Sequence, residues 1–204
     1  MKSKKTNKMV NEYLSFWQWF VESRHQIETI TSGSSIVADI DRRITALGDF
    51  VWEVGPGKVK SSSFTLSPGG DVNLLSKAKV IVSYSPNLED WEFYYARQEK
   101  TWSNIVIVSV DNERISIDVS QWKYVLFKYE DLTFDVLLKP SPWMPILEQE
   151  ITGISEMIID NIVGEELRLL RLPYIEVVRD FDADIDASSS HLINFKEHIN
   201  SLLK

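Results

Sequence analysis

Any chemistry in this sequence has to come from three histidines, a run of aspartates and scattered carboxylates, because the 204 residues contain no cysteine. That excludes disulfides, thiolate zinc sites, iron–sulfur clusters and cysteine nucleophiles. His191 and His198 stand seven apart on a segment that reads as helix. They point in nearly the same direction, but about 10 Å of rise separates them. A zinc ion holds its ligands at about 2 Å, so these two do not share one. His25 lies between Arg24 and Gln26, on a polar part of another helix. Asp180, Asp182, Asp184 and Asp186 alternate like the opening of a calcium loop of EF-hand type. Such a loop needs Gly at its sixth position and a bidentate Glu at its twelfth. Ile185 and His191 stand there instead. The stretch reads as an acidic loop that lays negative charge ahead of the last helix, where the dipole favours it. Neither a metal site nor a cofactor is expected.

Nucleophilic hydrolysis finds no G-x-S-x-G elbow. Ser61-Ser62-Ser63 supplies hydroxyls without an activating neighbour in sequence. Gly55-Pro56-Gly57-Lys58 faintly resembles a phosphate loop. A P-loop continues with Ser or Thr and then a helix; Val59 and a strand follow here, so the segment reads as a hairpin turn. Glu53, Glu89, Asp90, Glu92, Glu165 and Glu166 lie beside apolar residues. Acid–base catalysis would need two of them in environments that drive their pKa values apart. No catalytic set is assembled by spacing alone.

Aromatic residues are the most informative feature. There are 7 Trp, 7 Tyr and 9 Phe, and Trp91-Glu92-Phe93-Tyr94-Tyr95 with Trp102 is the densest stretch. On a strand, Trp91, Phe93 and Tyr95 share one face while Glu92 and Tyr94 share the other. One face belongs to a core. The opposite face can carry Tyr94 to a surface, and Trp91, Glu92, Tyr94 and Trp102 are the candidate binding patch, since rigid rings with an acidic rim suit protein recognition. The competing reading is that these rings fill the core.

The elements that would position them follow from periodicity. Val10, Tyr13, Leu14, Trp17, Phe20, Val21 and Ile27 form a helical stripe, and Ile36, Val37, Ile40, Ile44 and Leu47 form a second after Gly33-Ser34-Ser35. This is an αα-hairpin. The period then changes to two, with strands about 50–54 and 58–67 around the Gly55–Gly57 turn. Residues 71–83 fit a helix capped by Asp71, though Val80-Ile81-Val82 has strand character. Strands are expected at 91–97, 104–110, 114–119, 123–129 and 132–139, the last two as a hairpin. Helix returns at 146–163 after Pro140, Pro142 and Pro145. Residues 167–172 are ambiguous, 174–179 read as strand and 190–203 as a closing helix. Runs of strands joined by short turns argue for an α+β protein, a mainly antiparallel β-sheet covered by helices. One domain over 10–204 is expected, with residues 1–9 a disordered basic tail and Pro140–Pro145 the only candidate boundary.

The net charge is −8, although Lys2, Lys4, Lys5 and Lys8 crowd the start. The remaining body is more acidic still and repels a phosphate backbone, so nucleic acid is not an expected partner. Asn11, Glu12 and Gln18 interrupt the first apolar stretch, and no A-x-A follows. That is not an export signal, and no run approaches a bilayer span. No membrane partner is expected, and the expected location is cytoplasmic.

Several phrases are familiar together: Leu47-Gly48-Asp49-Phe50-Val51-Trp52-Glu53-Val54-Gly55-Pro56-Gly57, Ser67-Pro68-Gly69-Gly70, Ser85-Pro86-Asn87-Leu88-Glu89-Asp90-Trp91-Glu92-Phe93, Lys100-Thr101-Trp102 and Ile159-Asp160-Asn161-Ile162-Val163-Gly164-Glu165. Over about residues 10–180 the chain resembles a group of uncharacterised bacterial proteins, many from Bacteroidetes, similar to DUF695-like domains of unknown function. Ser85-Pro86 departs from the Ala-Pro expected there. The resemblance implies no activity for particular residues. Function is therefore expected from composition: a non-catalytic cytosolic protein-binding module, of which an immunity-type protein that neutralises a toxin is one version, with self-association as another mode. The alternative is a carboxylate-based hydrolase, perhaps dependent on a divalent metal.

Overall fold

The computed structural model describes residues 2–31, 33–101, 103–110, 113–144 and 148–204. It divides into two compact units, residues 1–97 and 98–204. The protein is α+β with mostly antiparallel pairing, and it opens with the expected helix pair.

In the first unit, α1 (Lys2–Glu28) and α2 (Ser35–Leu47) are followed by β1 (Val51–Gly55), β2 (Ser62–Ser67), α3 (Val72–Ser83) and β3 (Trp91–Tyr94). α1 begins earlier than the apolar stripe, which starts only at Val10. Gly48 closes α2, its N–H donating to the Ile44 carbonyl at 3.0 Å. Its φ of 149° lies in the region that favours glycine, and an added Cβ would press on the Phe50 ring. Residues 71–83 resolve to helix because Asp71 caps it, its carboxylate accepting from the Asn73 N–H at 2.9 Å. Strands pair in the order β1-β2-β3. β1 and β2 are antiparallel, but β2 and β3 are parallel, with α3 as the crossover between them.

The core of this unit is a packed set of rings. Phe20 is fully buried, with its centroid 5.1 Å from Phe64, 5.0 Å from Trp91 and 5.3 Å from Phe93, all near edge-to-face. That geometry sets the positive edge of one ring against the negative face of the next. The Trp17 indole N–H donates to the Ile81 carbonyl at 2.8 Å, tying α1 to α3.

The second unit contains β4 (Ile105–Val110), β5 (Glu113–Asp118), β6 (Lys123–Lys128), β7 (Phe134–Lys139), α4 (Ile151–Val163), α5 (Glu165–Arg171), β8 (Tyr174–Val177), α6 (Ala183–Ser188), β9 (Ser190–His191) and α7 (Phe195–Leu202). β4 and β5 form a hairpin. The other strands form a sheet in the order β8-β7-β6-β9. β7 and β8 are parallel, linked through α4 and α5. Tyr124, Phe134, Val136 and Leu138 of this sheet pack with Ile158 and Ile159 of α4 and with Phe195 and Ile199 of α7. The Tyr124 hydroxyl shares a hydrogen bond of 2.9 Å with His198 Nδ1. Burial pushes the Tyr124 phenol up to about 12, against a hydrogen bond with Ser190 that pulls the other way.

The structure revises the sequence reading in three places. The sheet is not one meander, because two helical crossovers create parallel pairs. The ambiguous 167–172 segment belongs to a helix. The closing helix starts only at Phe195, since Ser190 and His191 pair with β6 and a 3-10 turn intervenes. The chain divides into its two compact units after Arg97, with Pro140–Pro145 inside the second, and the first 97 residues enclose a core of their own. Among the described residues no helix is long and apolar enough to cross a membrane.

Phe20→Ala removes the shared centre of the ring cluster. It should cost about 3–5 kcal/mol of first-unit stability, read by urea denaturation followed through tryptophan fluorescence. A loss under about 1 kcal/mol would mean that the cluster does not hold this unit together.

Candidate functional site

Of the patch expected at β3, one member is buried. Trp91 is 2% exposed and packs on Phe20. It is core, which is one of the two readings that strand alternation allows. Glu92 and Tyr94 do share the opposite face, but both are half-buried. The Glu92 carboxylate accepts from the backbone N–H of Lys58 and, at 3.1 Å, from that of Val59. Burial raises its pKa, but hydrogen bonds from the Lys58 N–H, the Tyr94 side chain and the Val59 and Lys60 backbone outweigh it and hold it below the ordinary glutamate value. Burial first, then Glu92, pushes the Tyr94 phenol up. The loop from Gly55 to Ser61 thus gathers N–H groups around an anion, as its sequence faintly suggests, and the anion is the chain's own Glu92. Gly57 is needed there, because a Cβ would overlap both the Glu92 carboxylate and the Lys60 carbonyl. Trp102 lies outside the described residues.

The histidines are placed separately. His198 bonds Tyr124, the exposed His25 lies 3.9 Å from Glu28, and the backbone of His191 pairs with that of Lys123 across β6 and β9. Among the described residues no three His, Asp or Glu side chains gather as a metal site. The aspartate run does not form a loop ahead of the last helix; Asp184 and Asp186 lie in α6. The Asp186 carboxylate bridges Lys123 at 3.0 Å and Lys139 at 3.4 Å. These bonds, that of Lys123 foremost, lower its pKa despite desolvation. Asp160 and Arg168 form a buried pair at 2.5 Å between α4 and α5. Glu53 is paired with Arg97 at 2.7 Å.

A group of exposed rings lies elsewhere, on the outer face of β6, β7 and β8, while Tyr84 is exposed in the first unit. The register places Phe127 opposite Asp135 and Asp135 opposite Tyr174, forming one cross-strand row. Val125, Leu137 and Glu176 form the next, and Lys123 and Lys139 a third. Asp186 bridges the third row from α6. The first row stays open: Phe127 is 45% exposed and Tyr174 53%, and Tyr129 beside them is 48% exposed. Tyr129 donates its hydroxyl to Asp135 at 2.6 Å. That bond, ahead of desolvation, raises the Tyr129 pKa.

The turn beyond β6 holds Tyr129 in place. Its N–H donates to the Thr133 carbonyl at 3.0 Å, and the Asp131 carboxylate accepts from the Thr133 N–H and hydroxyl. Phe127, Tyr129, Asp135, Leu137 and Tyr174 border a depression of about 560 Å³. Lys128 also borders it but places its ammonium 3.1 Å from the Leu202 carbonyl, at the end of α7. The acidic groups bordering the depression are Asp135 and Glu176. A shallow, ring-lined, acidic depression of this kind suits binding. Sequence reasoning missed this face, although 123–128 and 134–139 carry apolar residues on both faces, more than one core requires. No family model, curated protein or solved structure matches this chain.

Glu92 has a depressed folded-state pKa, so its contribution to stability is present above the ordinary glutamate value and is lost as pH falls through the depressed one. Glu92→Gln should flatten the acid limb of stability against pH. Parallel limbs for the two proteins in thermal melts would contradict the loop lock.

Proposed function

We propose that this chain is a non-catalytic protein-binding module, and that its partner covers the outer face of β6, β7 and β8. One observation carries the reading: Phe127, Tyr129 and Tyr174 are about half exposed on one sheet face and flank an acidic centre. Rings of this kind add contact area at low entropic cost and dominate interface energetics. The acidic net charge supports a basic partner. A cytosolic, immunity-type role, in which such a face blocks a toxin's cationic surface, is the version this charge supports, by analogy alone.

The hydrolase alternative has less support because several carboxylates, three of its candidates among them, are engaged. Asp160 bonds Arg168, Glu53 bonds Arg97, Asp186 bonds two lysines, and Glu92 bonds its loop. A buried pair of this kind costs about 3–5 kcal/mol when one partner is removed. Asp160→Asn should therefore lower the urea midpoint sharply, whereas a catalytic Asp160 would be exchanged with little loss of stability.

The binding test compares three proteins as bait in their native lysate: wild type, the Phe127→Ser/Tyr174→Ser double variant, and Val59→Ser, whose side chain is exposed in the first unit. A partner held by wild type and by Val59→Ser, and weakened at least about tenfold by the double variant, is the expected result. Equal retention by all three, or substrate turnover abolished by Asp135→Asn, would contradict the reading.

A further inference from the structure

We infer that the partner contributes an extended, cationic segment that adds as a strand to the free edge of β8; this rests on the binding reading above. β8 ends the order β8-β7-β6-β9, and no described strand pairs with its other side. The ladder phase fixes which backbone groups that edge offers. Val178 donates its N–H to the Leu138 carbonyl at 2.9 Å. Tyr174 and Glu176, in phase with Val178, therefore direct their backbone groups toward β7. Ile175 and Val177, out of phase, present N–H and C=O to the open edge. A sheet edge of this kind is a template for an incoming strand.

The same alternation selects the partner's chemistry. Tyr174 and Glu176 carry their side chains on the outer face, in the rows of Phe127–Asp135 and Val125–Leu137. An added strand extends both rows. Its outer-face side chains then stand beside the Tyr174 ring and the Glu176 carboxylate, a pairing distance within a sheet. A lysine or arginine at these positions meets a ring face and a carboxylate, with Asp135 one strand further in. Lys128, a cation bordering the depression, has its ammonium held at the Leu202 carbonyl. A glutamate at the same positions would face two carboxylates.

The test uses the full chain, isotope-labelled, and a short capped peptide alternating threonine and lysine, with its glutamate counterpart as control. The expected result is saturable change and slowed exchange at the Ile175 and Val177 amides with the lysine peptide alone. Glu176→Gln should weaken binding by about tenfold, and added salt should weaken it too. Ring signals of Phe127 and Tyr174 responding while both amides stay unmoved would overturn strand addition and leave the face reading intact. Equal binding of the glutamate peptide would overturn the charge assignment. Protection of the same amides that rises with protein concentration, without peptide, would assign the edge to a second copy and overturn the cationic occupant. The face reading itself fails separately, in the lysate comparison.

Discussion

A strand has two faces, and in β6, β7 and β8 both carry apolar side chains. One of them is buried against α4 and α7. Tyr124, Phe134, Val136 and Leu138 take that side, where α4 and α7 close over them. The period of two then leaves Phe127, Leu137 and Tyr174 on the other side. A slip of register by one residue would exchange the two sets, so burial of the inner set dictates where the outer rings stand. α6 covers one end of the outer face through Asp186 and its two lysines. The far end stays open, with Phe127 and Tyr174 about half exposed.

The first unit resolves its rings differently. Phe20, Phe64, Trp91 and their neighbours close on one another, and the acidic face of β3 is closed by the Gly55–Ser61 loop. The aromatic stretch densest in sequence is therefore spent on packing, while the sparser rings of the second unit remain available. Composition alone does not separate the two cases. The difference lies in what covers each strand, which is a tertiary property.

Much of the fold is readable from local pattern. The two N-terminal helices follow from the spacing of Val10 to Ile27 and of Ile36 to Leu47, and the helix after Asp71 from its cap. The β6–β7 hairpin follows from two β-rich runs around Glu130-Asp131. What local pattern does not contain is the pairing of β2 with β3 and of β7 with β8. Those contacts join strands separated by entire helices, and a helical stripe does not reveal that its helix is a crossover. The candidate surface was illegible for the same reason. Phe127 and Tyr174 meet only because β8 returns parallel to β7. At β3, alternation correctly put Glu92 and Tyr94 together and Trp91 opposite, but the residues that cover Glu92 lie more than thirty positions away.

The central claim is that the outer rings of β6–β8 serve recognition and not folding. Urea denaturation of the Phe127→Ser/Tyr174→Ser double variant beside Phe134→Ser, on the opposite face of the same sheet, tests it most directly. The account predicts that the double variant stays within about 0.5 kcal/mol of wild type, while Phe134→Ser loses about 3 kcal/mol or more. A double variant as unstable as Phe134→Ser would show that these rings belong to the core, and the recognition surface would vanish with them.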